Sequence, residues 1–376
     1  MLSRSARWWL VIATMLAMSV SYVDRQTLSV LAPTVTKELG ITDAQYGWLG
    51  SAFSIAYLLA GPLAGTLVDR LGARRALPGS ILAWTLVAAA HAMAPGFGVL
   101  LGLRMALGVT ESPSFPAGAQ VVQRALVRED RARGMSSLFV GMSLGGMLAP
   151  PVAIGLATRF SWRVAFVGTA ALAALWLPLW RLLTRAEATA AMLDEVPPAT
   201  SRARAATVAR SPAMVRGLLG LLAVVPASAF MMAWEAKFYV REAHLTQGQL
   251  PAYLVTSAVL YDAGALLFGD LASRRARRRA DGSPARLLFG AGAALAAAGM
   301  LVLSTAHDAT ATLAGMALGA TGRGAIVTLA NSDTLARVPQ RAVAAAGGII
   351  ASVQSLGAIV VNPVIGGVVQ KHGYQG

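Results

Sequence analysis

Eleven apolar stretches, each long enough to cross a lipid bilayer, limit what this chain can fold into. A spanning helix needs about 20 apolar residues. The runs 8–33, 46–68, 77–95, 97–122, 135–158, 162–182, 214–239, 250–272, 286–306, 309–335 and 342–369 meet that length. In hydrocarbon every backbone N–H and C=O must be satisfied within the segment, so runs of this kind form helices. The expectation is an all-α polytopic membrane protein. Its solvent is mostly lipid, since only 13% of residues are charged, about half the soluble average.

A net charge of +15 raises the question of nucleic acid. The arginines argue against it, because they stand in short clusters between the apolar runs. Of the 32 Lys and Arg, 23 fall on the side of the N-terminus, five on the other side and four within spans. That bias places the N-terminus in the cytoplasm. Arg4 and Arg7 before an apolar run look like the start of a signal peptide. The run is too long for that, so an uncleaved first span is expected. The chain has no cysteine, which removes disulfide and thiol chemistry.

The longest loop, Thr184–Ser211, follows the sixth run and carries Pro197-Pro198 and several arginines. Six spans, a linker and further spans suggest two bundles. The expected division is a six-helix bundle over 1–183, a cytoplasmic linker over 184–212 and a second bundle over 213–376 with five spans. A repeat supports the halves. Gly65-x3-Asp69-Arg70 follows the second span, and Gly269-x3-Ser273-Arg274 follows the eighth, with the acid lost at the matching position.

Charged residues inside spans are expensive, about 2.5–3.5 kcal/mol each on insertion scales, and mark functional paths. Asp24-Arg25 stands near the middle of the first run. Arg104 and Glu111 lie seven apart in the fourth, on one helix face and about 10 Å apart along its axis. The other reading of these four residues is a purely structural set of buried ion pairs. His91, His244, His307 and His372 fall at loop ends without acids to make a metal cluster. No G-x4-G-K-[ST] loop and no catalytic constellation occur in the sequence, so neither an ATP-driven pump nor an enzyme is expected. No cofactor is expected either.

The run Gly61-Pro62-Leu63-Ala64-Gly65-Thr66-Leu67-Val68-Asp69-Arg70-Leu71-Gly72-Ala73-Arg74-Arg75 resembles the loop motif of the major facilitator superfamily almost position for position. Arg104-x2-Leu107-Gly108-x2-Glu111, followed by Ser112-Pro113-Ser114-Phe115-Pro116, resembles that family's fourth-helix motif. With Tyr22-Val23-Asp24-Arg25 and Ser161-Trp162-Arg163, the chain resembles one branch, the anion:cation symporters. That branch includes bacterial hexuronate and galactonate transporters and sialin-type carriers.

The resemblance implies two pseudo-symmetric six-helix bundles that close alternately on a midplane site. It implies proton uptake at Asp24 and Glu111, with Arg104 holding Asp24 in its charged form when substrate is absent. Arg25 is implied to meet a substrate carboxylate, and Tyr22 and Tyr57 to supply hydroxyls. Gly65, Asp69, Arg70, Gly72, Arg74 and Arg75 are implied to form a conformational latch, in which the acid caps or pairs with a neighbouring helix end.

In the second half, Trp234-Glu235-Ala236-Lys237-Phe238-Tyr239 stands where family members more often carry an uncharged run. Glu235 and Lys237 read first as a solvated outer rim and second as a gate or substrate contact. Asp262 reads as structural or coupling. Arg323, between two glycines, reads either as an anion contact or as a base reaching an interface. Gln354 reads as a weak substrate contact. Met142 stands where sugar-acid binders tend to be polar, which leaves room for a less polar carboxylate. Gly141, Gly145 and Gly146 read as helix packing.

The expected partners are therefore a small organic anion, protons and the bilayer, with a monomer in an inner membrane. The expected function is proton-coupled symport of a sugar acid or another carboxylate. The alternatives are a proton-coupled exporter of amphipathic compounds and a ligand sensor. Twelve spans are the family pattern, and the ending Val364–Gln370 with His372-Gly373-Tyr374-Gln375 looks like a lead-in to a twelfth, which is expected to be missing.

Overall fold

In the computed structural model, the apolar runs become helices, and three of them are broken, near Pro33, at Ser112-Pro113 and at Trp234. The structure describes residues 3–127, 129–194, 210–278, 286–306, 308–337 and 343–375. Most of the expected linker, 195–209 with Pro197-Pro198, lies outside them, as does His307.

The first run forms α1 (Arg4–Val30). It stops at Leu31, and α2 (Ala32–Glu38) restarts with Pro33 in its first turn, where a missing N–H does no harm. α3 (Asp43–Leu71) opens on a capping box, with Gln45 N donating to Thr42 Oγ1 and Thr42 N donating to Gln45 Oε1. α4 (Ala73–Ala90) follows a single residue, Gly72. The fourth run is divided into α5 (Phe97–Glu111) and α6 (Ser114–Ala125). α7 (Arg131–Arg159), α8 (Trp162–Thr184) and the short α9 (Glu187–Asp194) complete the first part.

The second part has α10 (Pro212–Ala233), α11 (Glu235–Arg241), α12 (Leu250–Arg278), α13 (Arg286–Ser304), α14 (Ala309–Arg337) and α15 (Val343–His372). Among the described residues, ten helices are long and apolar enough to cross a membrane by length and composition. The run absent from that count is the fourth, shared by α5 and α6, which are separately too short.

The chain divides into two compact units, Met1–Ala199 and Thr200–Gly376. In the first, α1 packs on α7, α3 on α5 and α4 on α8. Its core gathers Leu77, Ile81, Trp84, Trp176 and Trp180. The indoles of Trp176 and Trp180 donate to the carbonyls of Ala13 and Arg74, so neither polar edge is left unpaired. In the second unit α10 packs on α15, while α12 and α13 pack on α14. Each unit thus pairs its first span with its fifth and its second with its fourth. Exposed large apolar side chains occur along most of the long helices, Leu59, Leu63, Leu175, Leu266 and Leu287 among them, a surface that suits lipid rather than water.

At the end of the first unit opposite its N-terminus, Ser161 caps α8. Glu38 accepts hydrogen bonds there from Arg163 and from Trp162 Nε1. These bonds, that from Arg163 first, hold the Glu38 carboxyl below the usual carboxylate range.

Candidate functional site

Asp24 and Arg25 are consecutive on α1, so their side chains leave the helix about 100° apart. They enter different surroundings. Arg25 turns toward α3 and α5, where its Nη2 donates to Glu111 Oε1 at 2.5 Å in an ion pair with a buried carboxylate. The Ser21 hydroxyl, one turn earlier on α1, donates to the same oxygen. The guanidinium carbon lies 4.6 Å from the ring centres of both Tyr22 and Phe53, and 5.3 Å from that of Tyr57. Phe53 and Tyr57, one turn apart on α3, stack on each other at 5.7 Å. Each cation–π contact contributes about 0.5–2 kcal/mol, more as water is excluded.

Asp24 faces the other way, toward Thr169 of α8 and Trp84 of α4. It is buried, and neither of its carboxylate oxygens has a hydrogen-bond partner among the described residues. The Trp84 indole nitrogen is also unpaired. The Thr169 hydroxyl and the Trp84 indole therefore flank a carboxyl that has no cation in an ion pair with it among the described residues.

Arg104 does not complete that carboxyl. Its Nη1 donates to the backbone carbonyl of Arg25 at 3.4 Å, and its guanidinium carbon lies 5.1 Å from the Phe53 ring centre. The expected pairing of Arg104 with Asp24 is corrected here. Arg104 and Glu111 share the face of α5 that meets the Arg25 side of α1, and Asp24 lies off that face. The pair that forms is Arg25 with Glu111.

Two local features hold this arrangement. Gly108 stands between Arg104 and Glu111, and a Cβ there would collide with the Phe53 carbonyl and the Tyr57 amide. Only glycine lets α5 lie on the backbone of α3, which brings its two charges beside the aromatic pair. The second feature is the break after Glu111. Pro113 has no N–H to offer the Val109 carbonyl. The Ser112 hydroxyl takes its place at 2.8 Å, and the Ser80 hydroxyl donates to the Thr110 carbonyl at 2.5 Å. Glu111 is consequently the last residue of α5, at a helix end closed by serines. Gly141 and Gly145 are packing positions, pressed against the backbone of α1 at Met15 and Ser19.

The loop motif is built differently from its expectation. Asp69 is exposed and makes no ion pair among the described residues. Gly65 has open space where a Cβ would stand. Arg74 carries the contact instead, pairing with Asp194 of α9 at 3.1 Å. Gly72 turns with φ 73°, and a Cβ there would press on the Leu193 carbonyl at 3.2 Å. Gln120 Oε1 accepts from the Ala73 amide at 2.7 Å. Arg70 lies in the last turn of α3, where a cation complements the helix dipole. Arg75 is exposed.

In the second unit, Arg323 is buried on α14 with its guanidinium carbon 4.6 Å from the Tyr261 ring centre. Glu235 and Lys237 are buried as well, which corrects their reading as a solvated rim. The chain turns inward at Trp234, whose Nε1 donates to Asn362 Oδ1 at 3.3 Å, and Lys237 Nζ lies 5.7 Å from the Trp234 ring centre. Asp262 and Gln354 are half-buried. Met142 packs against the apolar core of the first unit. Ser21, Phe53, Trp84 and Thr169 were not singled out in the sequence. Ser21 and Phe53 stand one turn from Arg25 and Tyr57, the only signal they carry.

A cleft of 510 Å³ lies among Arg4, Arg7, Trp8 and Asp130. Trp8 is about 24 Å along α1 from Asp24, so this cleft is separate from the charged site.

The profile of the Major Facilitator Superfamily matches residues 14–362, and the chain belongs to that family. Its fold is accordingly an all-α polytopic membrane fold. Among its relatives are the sugar-acid carriers to which the sequence motifs pointed. It is 30% identical over 177 residues to the hexuronate transporter of Escherichia coli strain K12, a match covering 47% of this chain and 41% of that protein. It is 26% identical over 392 residues to the D-galactonate transporter of Escherichia coli O6:H1, covering 98% of this chain and 90% of that protein. The chain also superimposes on a bacterial homologue of the human lysosomal transporter Spinster, solved inward-facing and unoccupied. The TM-score is 0.83 at 20% identity, over 99% of this chain and 86% of that one. The nucleoside transporter NupG gives 0.75 at 14% identity, over 98% and 94%.

Proposed function

We propose that the protein is a secondary active transporter, not an enzyme, that moves an organic anion of the sugar-acid class together with protons. The relatives named as hexuronate and D-galactonate transporters support the substrate class. The observation that carries the coupling is the division of charge around α1. Glu111 is compensated by Arg25 and Ser21, and Asp24 has no cation in an ion pair with it among the described residues.

The proposed cycle follows from charge balance. An incoming carboxylate competes with Glu111 for the Arg25 fork, which suits two oxygens at once. Once displaced, Glu111 would be a buried charge without a partner, a costly state that a proton relieves. Anion binding and proton binding are then one event. Asp24 holds a further proton on the opposite face of α1. Tyr22 and Tyr57 flank the anion beside Arg25, and Arg104 supports the site through the Arg25 backbone. Within the second unit, Arg323 and Gln354 are proposed as substrate contacts of their own. The two units alternate in opening to either side, and the Gly72 turn with the Arg74–Asp194 pair latches one of those states.

The uncompensated Asp24 also suits the second reading, export of an amphipathic cation against protons. The two readings move protons in opposite senses. In proteoliposomes loaded with a pH dye, external D-galactonate or D-galacturonate is expected to acidify the lumen. Glu111→Gln should cut that signal at least about tenfold, the factor for losing one charge-assisted contact, and Asp24→Asn should cut it by removing a proton carrier. Proton-driven accumulation unchanged in both variants sinks the assignment. Lumenal alkalinisation on adding a lipophilic cation would favour the exporter.

A further inference from the structure

The second unit holds a polar cluster that the charged site of α1 does not include. Glu235 on α11, Tyr239 one turn later, Ser257 on α12 and Arg323 on α14 converge. All four are buried, Glu235 at 6% exposure and Arg323 at 8%. Each carries a polar atom with no hydrogen-bond partner among the described residues: Glu235 Oε1, the Tyr239 hydroxyl, Ser257 Oγ and Arg323 Nε. Ser257 stands close enough to serve Glu235 or Tyr239, which leaves Glu235 Oε1 and Arg323 Nε as the charged atoms that call for a further partner, since buried polar groups are ordinarily satisfied.

The charges sharpen this. Arg323 and Glu235 face each other within electrostatic reach, yet neither joins an ion pair among the described residues. Arg25 in the first unit already has its carboxylate. Arg323 is a buried guanidinium with no carboxylate in an ion pair among the described residues and with its Nε unpaired, and it is held from one side by the Tyr261 ring. Its position is fixed by the adjacent Gly324, where a Cβ would collide with the Tyr261 carbonyl. A group bridging Arg323 and Glu235 must offer an anion at one end and a hydrogen-bond donor at the other.

We propose that Glu235 and Arg323 form a specificity subsite for hydroxy-carboxylates within the second unit, a station separate from the one at Arg25, with the carboxylate of a ligand held there on Arg323 and one of its hydroxyls donating to Glu235. Tyr239 and Ser257 complete the polar wall beside the hydroxyl. A plain carboxylate would leave Glu235 buried and unpaired, so the subsite selects for hydroxylated acids. This rests on the anion-transport reading and deepens it by naming the substrate feature that is read.

The test is binding to the purified 376-residue chain in nanodiscs, using D-galactonate and D-galacturonate against hexanoate and acetate. The wild type should prefer the hydroxylated acids. Glu235→Gln should reduce that preference by about tenfold, the factor of one hydrogen bond to a charged group, while leaving the plain acids unchanged. Arg323→Gln should weaken every acid, and Arg323→Lys should recover part of the loss by restoring the charge. Unliganded melting curves check that each variant is folded. A wild type that binds the hydroxylated acids, with the preference intact in Glu235→Gln and affinity intact in Arg323→Gln, overturns the subsite alone and leaves water as the partner of the cluster. A folded wild type that binds none of the acids overturns the subsite and the anion reading together.

Discussion

Adjacent helical residues cannot serve one another, and α1 uses this to separate an acid from a base. Arg25 goes to Glu111, and Asp24 goes to Trp84 and Thr169. The two carboxyls should therefore respond oppositely to neutralisation. Glu111→Gln strands the Arg25 charge in a buried setting, and losing one partner of such a pair costs about 3–5 kcal/mol. Asp24→Asn removes a charge that nothing balanced, so it should leave stability unchanged or higher. Thermal unfolding of both variants in the same detergent checks this. An equal fall in Tm for both would mean that Asp24 has a partner in the folded state. The four charges were legible in the sequence because a charge in an apolar run is rare. Their pairing was not, because it depends on which face of α5 meets α1, and a list of positions does not give that. Ser21, Trp84 and Thr169 were invisible for a related reason: serine, tryptophan and threonine are ordinary residues in a span, and only proximity makes them part of a site.

Helix by helix, the apolar period located the runs well but could not see where a run breaks. Residues 97–122 read as one span. Pro113 and its serines divide it into α5 and α6, and the division places Glu111 at a helix end. The spacing between helices was equally hidden, and here it rests on one atom's absence. Gly108→Ala puts a methyl group against the α3 backbone at Phe53 and Tyr57. Backbone cannot rotate away as a side chain can, so α5 must move as a unit, and overpacking of this kind costs about 1–3 kcal/mol. Because Arg104 and Glu111 travel with α5, anion-driven proton uptake should fall along with the melting temperature. Gly102→Ala, on the same helix with nothing within 4 Å of the added carbon, is the control and should change neither. If Gly102→Ala proves as damaging as Gly108→Ala, helix spacing is not what the glycine protects.

Across the chain, the repeat between the two halves was visible in the sequence as one loop motif and a worn copy. The structure shows why the second copy tolerates wear: each unit keeps its internal helix pairing, first span with fifth and second with fourth, without needing identical side chains. The charge bias between the two sets of loops is a property of the same kind, since no single arginine carries it. It predicts an orientation with the N-terminus, Arg74, Arg75 and Arg131 in the cytoplasm and the 39–42 turn outside, because arginines resist transfer across the membrane. The chain provides its own clean background for checking this, as it contains no cysteine. Thr42→Cys and Arg75→Cys each introduce a single thiol, at the outer start of α3 and just beyond its other end. In right-side-out vesicles a membrane-impermeant maleimide should label Thr42→Cys and spare Arg75→Cys. In inverted vesicles the pattern should reverse. Labelling of Arg75→Cys from outside would invert the orientation. The Gly72 turn and the Arg74–Asp194 pair would then latch the face opposite to the one proposed, and protons would have to enter the charged site from the other side of α1.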